Sequence, residues 1–549
     1  MRYLGLVSLT ALLGACSSES SSPEPMNPAT GATAGAPAAT AGSGGMAGSP
    51  GGSESAGTTT GGVSGGLGGS PVGGTDPGSG DTIISPEGTI PNVGMPPAMV
   101  DLPRNRWTEG LTIPVEESLE VGHHQNQPIV VNGYVEGAGN AELVFYDISN
   151  PAKPVMLSRI TSPTFDPNAG PKGVGEAESH QTSTARYGNK FYQVSTTGLG
   201  VDIWDITSVR DPKHLKEVAL EGIDYGDFTD AVWGMYWQGT TIYVGGTNTG
   251  LHILDATNPE NVTVVKRLPT SAFGGVSAGP LWAVGNTLVI TTPKESGGIA
   301  TMDISDPLNP VALASIKPNK SYMGGFYGKY AWLQGPMRAW DVLTDPTKIS
   351  SSPAGTLSTE ASEYTSFADG YLFLGHLRPN AGVSKINVKD VTNMQIERRV
   401  WGRLVYENGD DQFSIQVGSL LVLADDELPY RGMTIAAHST EPDTTPPAVD
   451  TVVPHDGTTG LNIKSRVGIS LTDNLELATV HPYSVIVRPV GGQPIKGTYG
   501  LYMGVLNFDP DEDLLPNTTY EVVLPQNGVK DLVGNGIAAE FKSTFTTGP

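Results

Sequence analysis

The sequence is poor in cysteine, in positive charge and in long apolar segments. Cys16 is the only cysteine of 549 residues, so no internal disulfide can form. The chain has 32 Lys and Arg against 56 Asp and Glu, a formal net charge of -24. This charge disfavours nucleic acid as a partner, because its phosphates would be repelled. With 71 Gly and 43 Pro, we expect few long helices and a loop-rich chain of several domains.

The N-terminus has the pattern of a bacterial lipoprotein signal. Arg2 precedes an apolar segment, residues 4–13, which is too short to span a bilayer but suits a signal peptide. The segment ends in "LGAC", residues 13–16, which resembles the lipobox, in which the signal is cut before the cysteine and the cysteine is acylated. The resemblance implies a membrane anchor on Cys16, and Ser17 in place of Asp favours the outer membrane. The alternative is a plain secretory signal that contains a chance cysteine.

A segment of Gly, Ser, Ala, Thr and Pro follows the signal. It holds almost nothing that can be buried, so the entropy cost of ordering it is not offset, and we expect it to be disordered. The predicted organisation is a signal peptide over residues 1–16, a tether over 17–98, a repeat domain over 99–442 and a C-terminal domain over 443–549.

Seven copies of one pattern fill the repeat domain. Each copy has a strand, a small-residue turn, a second strand, an Asp or its replacement, and usually a Pro-containing turn, as in "FYDISNPAKP" and "TMDISDPLNP". The anchor positions, separated by 38 to 58 residues, are Asp147, Asp205, Asp255, Asp303, Asp341, Asn387 and Ala437. Such a period predicts an all-β fold, a seven-bladed β-propeller with one four-stranded blade per copy. A β-solenoid, the alternative, would need shorter and more regular rungs.

Turn chemistry explains the anchor residue. An Asp carboxylate can accept a hydrogen bond from the backbone N–H two residues on, while Pro fixes φ and opens an outer strand, where a missing N–H costs little. We therefore predict that the five Asp anchors are structural and form the corner between the third and fourth strands of their blades. The corners at Asn387 and Ala437 depart from the pattern.

The repeats resemble the LVIVD repeat of bacterial surface propellers. This resemblance implies a place at the cell surface and no shared catalytic residues. Residues 443–549, with "LLPNTTYEVVL" and "VKDLVGNG", resemble the SbsA-type bacterial Ig-like domain, which implies a β-sandwich used as a spacer or presentation module. The predicted order is thus tether, propeller and Ig-like sandwich.

Five polar residues recur before the first strand of a blade. They stand 23 to 26 residues ahead of the anchors and are His124, His180, Asp230, Glu363 and Asp411. That offset would place them around one mouth of the central channel, where they could bind a divalent cation or a cationic ligand. The alternative is that each bonds within its own loop. No other cofactor is indicated.

These observations favour a lipid-anchored envelope protein whose propeller is a binding platform. The expected partners are the membrane, through the lipid on Cys16, and a protein or carbohydrate of the envelope; we expect a monomer. One alternative is an enzyme, a hydrolase or lyase working near His124 and His180, although the chain has no recognisable catalytic motif. The other is a purely structural envelope protein.

The seventh repeat lacks a fourth strand on its C-terminal side. An edge left in this way would expose unpaired backbone groups. A strand-like segment without a blade of its own, "RWTEGLTIPVEES", precedes the first repeat. We predict that residues 111–115 pair with residues 433–436 and join the two ends of the ring.

Overall fold

The computed structural model describes residues 111–112 and most of residues 129–549. Within the second range it leaves out 132–133, 140–141, 149–154, 164–178, 225–228, 294–297, 319–322, 360–361, 377–381, 401–412, 426–431, 440 and 442. All described residues belong to one compact unit, 73–549. The predicted signal peptide and tether lie outside them.

The chain begins its described part with β1 (Leu111–Thr112) and then forms six four-stranded blades in sequence. Blade one has β2 (Ile129–Val131), β3 (Tyr134–Gly139), β4 (Glu142–Asp147) and β5 (Val155–Thr161). Blade two has β6 (Ser183–Tyr187), β7 (Lys190–Thr197), β8 (Gly200–Asp205) and β9 (Lys213–Ala219). Blade three has β10 (Gly234–Gln238), β11 (Thr241–Gly245), β12 (Leu251–Asp255) and β13 (Thr263–Leu268).

The later blades repeat this order. Blade four has β14 (Leu281–Val284), β15 (Thr287–Thr291), β16 (Ile299–Asp303) and β17 (Val311–Ile316). Blade five has β18 (Gly324–Tyr327), β19 (Tyr330–Leu333), β20 (Met337–Asp341) and β21 (Gly355–Leu357). Blade six has β22 (Ser362–Ala368), β23 (Tyr371–His376), β24 (Val383–Asn387) and β25 (Gln395–Val400). Blade seven takes three consecutive strands, β26 (Phe413–Val417), β27 (Leu420–Asp425) and β28 (Gly432–Ala437), and a fourth from elsewhere.

Helical structure is confined to short 3₁₀ segments in the described part of the chain. These are Pro259–Asn261, Thr270–Phe273, Val391–Asn393 and Leu477–Thr479. Among the residues described, no helix is long and apolar enough to cross a membrane.

The blade corners have the geometry of Asx-turns. The carboxylates of Asp205, Asp255 and Asp303 accept hydrogen bonds from the backbone N–H two residues on, at 3.0, 2.8 and 2.8 Å. Asn387 accepts the N–H of Lys389 at 3.2 Å, so an amide oxygen serves the same purpose as a carboxylate. Asp341 differs, because its carboxylate accepts from Thr344, three residues on, at 3.0 Å. The corner after Asp147 lies outside the described residues.

The fourth strand of blade seven comes from the N-terminal side of the ring. β1 pairs antiparallel with β28, with Leu111 opposite Ile435 and Thr112 opposite Thr434. This confirms the predicted pairing between the two ends of the ring. Blade seven also packs against blade one through an apolar cluster that contains Val144, Tyr146, Phe413 and Val422. Seven sheets closed in this way are consistent with the seven predicted blades.

A two-sheet β-sandwich ends the chain. Its first sheet has the order β29 (Val449–Val453), β31 (Val467–Leu471), β34 (Val505–Pro510) and β33 (Gly497–Tyr502). Its second sheet has the order β30 (Thr458–Leu461), β36 (Phe541–Thr547), β35 (Thr519–Leu524) and β32 (Ile486–Pro489). The first sheet does not end at β33, because β33 also pairs with β6 of blade two, so that one sheet of eight strands spans both parts.

Candidate functional site

The propeller has two distinct ends. At one end, here called the turn face, each blade makes the tight turn between its first and second strands. At the other end, the loop face, the chain enters the first strand of each blade and passes from its second strand to its third. Glycines of the turn face stand against the sandwich: a Cβ added at Gly285 would lie 2.5 Å from the carbonyl oxygen of Val453. The sandwich is therefore seated on the turn face.

Strand pairing fixes the sandwich to blade two. β33 runs antiparallel to β6, with Tyr499 opposite Arg186 and Leu501 opposite Thr184. The Thr184 hydroxyl donates to the Leu501 carbonyl at 2.7 Å. Gly500 has no room for a side chain, since a Cβ there would lie 2.2 Å from the carbonyl oxygen of Trp237. A glycine at this position thus lets the sandwich approach blade three while it pairs with blade two.

Asn507 of β34 is the centre of the contact with blades three and four. The residue is fully buried, and its Nδ2 donates to the Tyr236 hydroxyl at 2.8 Å and to the Ala283 carbonyl at 2.7 Å. Its Oδ1 accepts from the Gly285 N–H at 2.8 Å and from Gln238 Nε2 at 2.9 Å. Both N–H groups and both lone pairs of the amide are used, so this side chain specifies how the sandwich is seated.

A buried ion pair lies beside Asn507. Arg466 Nε donates to Asp509 Oδ1 at 2.8 Å, and its terminal nitrogen donates to Gln238 Oε1 at 3.0 Å. The other oxygen of Asp509 accepts the backbone N–H of Thr240 at 3.1 Å. Burial lowers the pKa of Arg466, but the Asp509 carboxylate and the Tyr243 side chain together outweigh burial and hold this pKa above its usual value. Each member of this buried ion pair therefore has a further hydrogen-bond partner, which helps to offset the cost of removing both charges from water.

The β33–β34 turn of the sandwich enters the central channel. Tyr502 and Met503, at this turn, line a cavity together with His180, Trp282 and Phe326 of three different blades. The cavity has a volume of about 10 Å³, which is room for about one water molecule. The turn thus occupies part of the channel from the turn face, and this cavity is too small for an organic ligand.

The structure places two of the predicted mouth residues. His180 is 1% exposed, and its ring stacks on Trp233 with centroids 3.9 Å apart and lies 5.4 Å from Tyr364. Tyr364 in turn stacks on Phe413 at 3.8 Å, so His180 belongs to an aromatic cluster built from several blades. Asp230 lies in the loop before β10 and is partly exposed. Cation binding by His180 and Asp230 stays a prediction.

The other three members of the predicted ring lie wholly or partly outside the described residues. His124 and Asp411 lie outside the described residues, and of Glu363 only the backbone, within β22, is described.

One Ser, His and Asp group lies elsewhere, between blades one and two. His214 Nε2 is 2.7 Å from Asp202 Oδ1 and 3.4 Å from Ser162 Oγ. A catalytic triad uses opposite ring nitrogens for the carboxylate and the hydroxyl, whereas here both partners share Nε2. Burial raises the pKa of Asp202, which His214 lowers in part. This geometry supports packing between blades and does not support nucleophilic catalysis.

One acidic group among the described residues is compact enough to hold a metal ion. Asp369, Asp443 and Asp473 each offer a ligand oxygen, and these oxygens all lie within 4.8 Å of one another. None of the three belongs to the predicted ring. They come from blade six, from the connection to the sandwich and from the sandwich itself, so no local sequence pattern could have grouped them.

Two family models match the chain. The LVIVD repeat matches residues 130–162, which contain all of blade one except Ile129, and the bacterial Ig-like domain matches residues 443–547, which contain the sandwich. The chain carries an LVIVD repeat and a C-terminal bacterial Ig-like domain. The Ig-like domain shares its first sheet with blade two, which differs from a spacer joined only by a linker. These two modules together indicate a surface or interaction protein, located at the cell surface or outside the cell.

Three of the solved structures that resemble the chain are distant likenesses. The computationally designed Ika8 protein is 10% identical over 57% of this chain and 96% of its own, with a TM-score of 0.37. The extracellular domain of a candidate hybrid two component system from B. thetaiotaomicron is 10% identical over 81% of this chain and 60% of its own, with a TM-score of 0.42. A chain of the mitotic checkpoint complex is 11% identical over 61% and 95%, with a TM-score of 0.40. No curated protein sequence matches the chain.

Proposed function

We propose that this chain is a lipid-anchored protein of the cell envelope whose propeller binds a partner through its loop face. The observation that supports this most is the seat of the Ig-like domain. It pairs with β6, sits on the turn face and extends into the channel from that side, and its buried Asn507 side chain uses all its hydrogen-bonding groups on the blades. Because the Ig-like domain covers the turn face, a macromolecular partner would bind the propeller at the loop face.

The anchor in this proposal is the lipid on Cys16. The lipobox-like residues 13–16 and the serine that follows them support attachment to the outer membrane. Several acyl chains, each methylene contributing about 0.8 kcal/mol, would hold the chain stably. The tether of residues 17–98 would then keep the folded part away from the lipid surface. The partner is a protein or carbohydrate of the envelope, bound by a monomer.

The anchor is tested by the Cys16→Ser variant. It should move from the membrane fraction to the soluble or secreted fraction, because the acylated sulfur is gone. The wild-type chain in the same cells is the control. Unchanged partition into the membrane fraction would contradict the lipid anchor.

The binding face is tested with the soluble Cys16→Ser chain and isolated cell envelopes. Asn248 and Ser271 are exposed in loops of the loop face, so the Asn248→Arg/Ser271→Arg variant should lose envelope binding by about tenfold or more through steric and charge obstruction. The matched control is Val264→Arg/Val311→Arg, at residues 43% and 63% exposed on the outer strands β13 and β17. Loss of binding in the control, or full binding by the loop variant, would contradict a loop-face site.

A further inference from the structure

The three acidic residues introduced above meet where the propeller joins the Ig-like domain. Asp369 stands in the first turn of blade six with a left-handed φ of 55°. Asp443 lies in the connection between blade seven and β29, and Asp473 lies just after β31. Their ligand oxygens approach within 4.8 Å of one another, and Asp473 is 4% exposed. Three separate parts of the chain therefore bring carboxylates to one point.

The backbone around this point is held by hydrogen bonds. The Asp369 N–H donates to the Thr472 carbonyl at 2.6 Å, which ties blade six to the sandwich. Asn535 Nδ2 donates to the Asp443 carbonyl at 3.3 Å, which ties the connection to the sandwich. A fourth carboxylate, Asp531, has its Oδ1 turned to the N–H groups of Val533 and Asn535 within its own loop. Asp531 is therefore held within its own loop, and the other three carboxylates are the candidate ligands.

Two acceptor oxygens, one within this group and one on a side chain bonded to it, have no hydrogen-bond partner among the described residues. One is Asp369 Oδ1, and the other is Oε1 of Gln416, a side chain of blade seven that is only 3% exposed. Gln416 is directed at the group, since its Nε2 donates to Asp369 Oδ2 at 2.8 Å. Asn474, next to Asp473 and 2% exposed, also has no partner for its side-chain amide. Buried acceptors without donors carry a desolvation cost that a cation would remove.

The electrostatics agree with this geometry. Burial and the carboxylate of Asp443 together raise the pKa of Asp369 to about 7, although Gln416 and Lys389 lower it in part. Burial likewise raises the pKa of Asp473 well above its usual value, with Asp369 and Asp531 adding to the effect. Like charges this close in a buried place destabilise each other unless a positive charge stands between them.

We propose that Asp369, Asp443 and Asp473 bind one calcium ion that joins blade six, the connection and the Ig-like domain. Calcium takes six to eight oxygen ligands in flexible geometry, which three carboxylates, each binding through one or both oxygens, can largely supply. Magnesium demands near-ideal octahedral geometry and keeps more of its water, so it suits this site less well. Turning the amide of Gln416 would present its unpartnered Oε1 as a further ligand.

The test uses the full chain freed of metal with a chelator. Adding calcium to about 100 times its dissociation constant should raise the melting temperature by about 3 °C, because a ligand that binds only the folded state stabilises it. Titration calorimetry should show one strong site per chain that magnesium at the same concentration does not fill. Sodium chloride at equal ionic strength controls for screening.

The decisive variant is Asp443→Asn/Asp473→Asn. It should fold in chelator at least as well as the wild type, because two buried repelling charges are gone, yet lose both the calcium-induced shift and the strong site. The matched control, Asp345→Asn/Asp390→Asn, changes the charge equally at two exposed turn residues of blades five and six and should respond like the wild type. If the double variant does not fold, Asp443→Asn alone takes its place and should bind calcium at least tenfold more weakly. A wild type that does not respond to calcium, or a calcium response that survives in the variant, would overturn the proposal.

Discussion

Replacing Asn507 with alanine should destabilise the propeller, although Asn507 belongs to the Ig-like domain. The substitution leaves the N–H of Gly285 and the carbonyl of Ala283 buried without their partner, and it removes one of the contacts of Gln238 and of Tyr236. Each buried group left unsatisfied costs about 1–3 kcal/mol. We therefore expect the free energy of unfolding to fall by about 3–5 kcal/mol, which is large for one residue.

Tryptophan fluorescence provides the measurement that checks this prediction. None of the eight tryptophans lies in residues 443–549, so tryptophan fluorescence during urea unfolding reports on the propeller alone. If the two parts are one cooperative unit, the Asn507→Ala change shifts the tryptophan transition to lower urea. Hydrogen exchange should show that amides of β31 and β14 lose protection together.

The control is Asn393→Ala, since Asn393 is exposed in blade six and its side chain contacts only Gln395 among the hydrogen bonds described. It should change stability by less than about 0.5 kcal/mol. A tryptophan transition that Asn507→Ala leaves unmoved, with the Ig-like domain unfolding separately, would refute the view that the sandwich is part of the propeller core.

Two further predictions concern the ring and its pH response. Deleting residues 105–118 removes β1, so the tryptophan transition of the whole propeller should move to lower urea, whereas deleting residues 60–73 of the predicted tether should leave it unchanged. Burial, together with the positive charges of Lys385 and Arg398, lowers the pKa of His438 from 6.5 to about 3, although the hydrogen bond to Gly418 raises it in part. As the pH falls, the unfolded chain therefore takes up a proton at His438 before the folded chain does. The free energy of unfolding should decline below about pH 6.5, by about 2 kcal/mol at pH 5. The His438→Gln variant, which can still donate to the Gly418 carbonyl, should lack this decline; an equal pH dependence in variant and wild type would contradict it.

The blades could be predicted from the sequence because each blade is local. A strand, a turn and an Asx-turn lie within one repeat, so the pattern at Asp205, Asp255 and Asp303 specifies its own hydrogen bonds. The pairing of β1 with β28 is not local, yet it follows from one requirement, that the last blade needs a fourth strand and that the chain has only one strand-like segment to spare.

The seat of the Ig-like domain could not be predicted in this way. Asn507 meets Gly285 and Tyr236 across more than two hundred residues, and an asparagine in a strand has no local feature that marks it as a contact. The same holds for Asp369 and Asp473, which meet only because the sandwich is seated on the turn face. His180 is an intermediate case: its offset places it at the start of a first strand, but its stacking on Trp233 depends on the neighbouring blade.

Both parts that lie outside the repeats cover edges that the repeats would leave open. β1 covers the outer edge of blade seven, and β33 pairs with the inner edge of β6, where unpaired N–H and carbonyl groups would otherwise face the channel. The edge of the sandwich sheet at β33 is covered by the same pairing. Because β33 and β6 cover each other's free edges, the Ig-like domain is a structural component of the propeller.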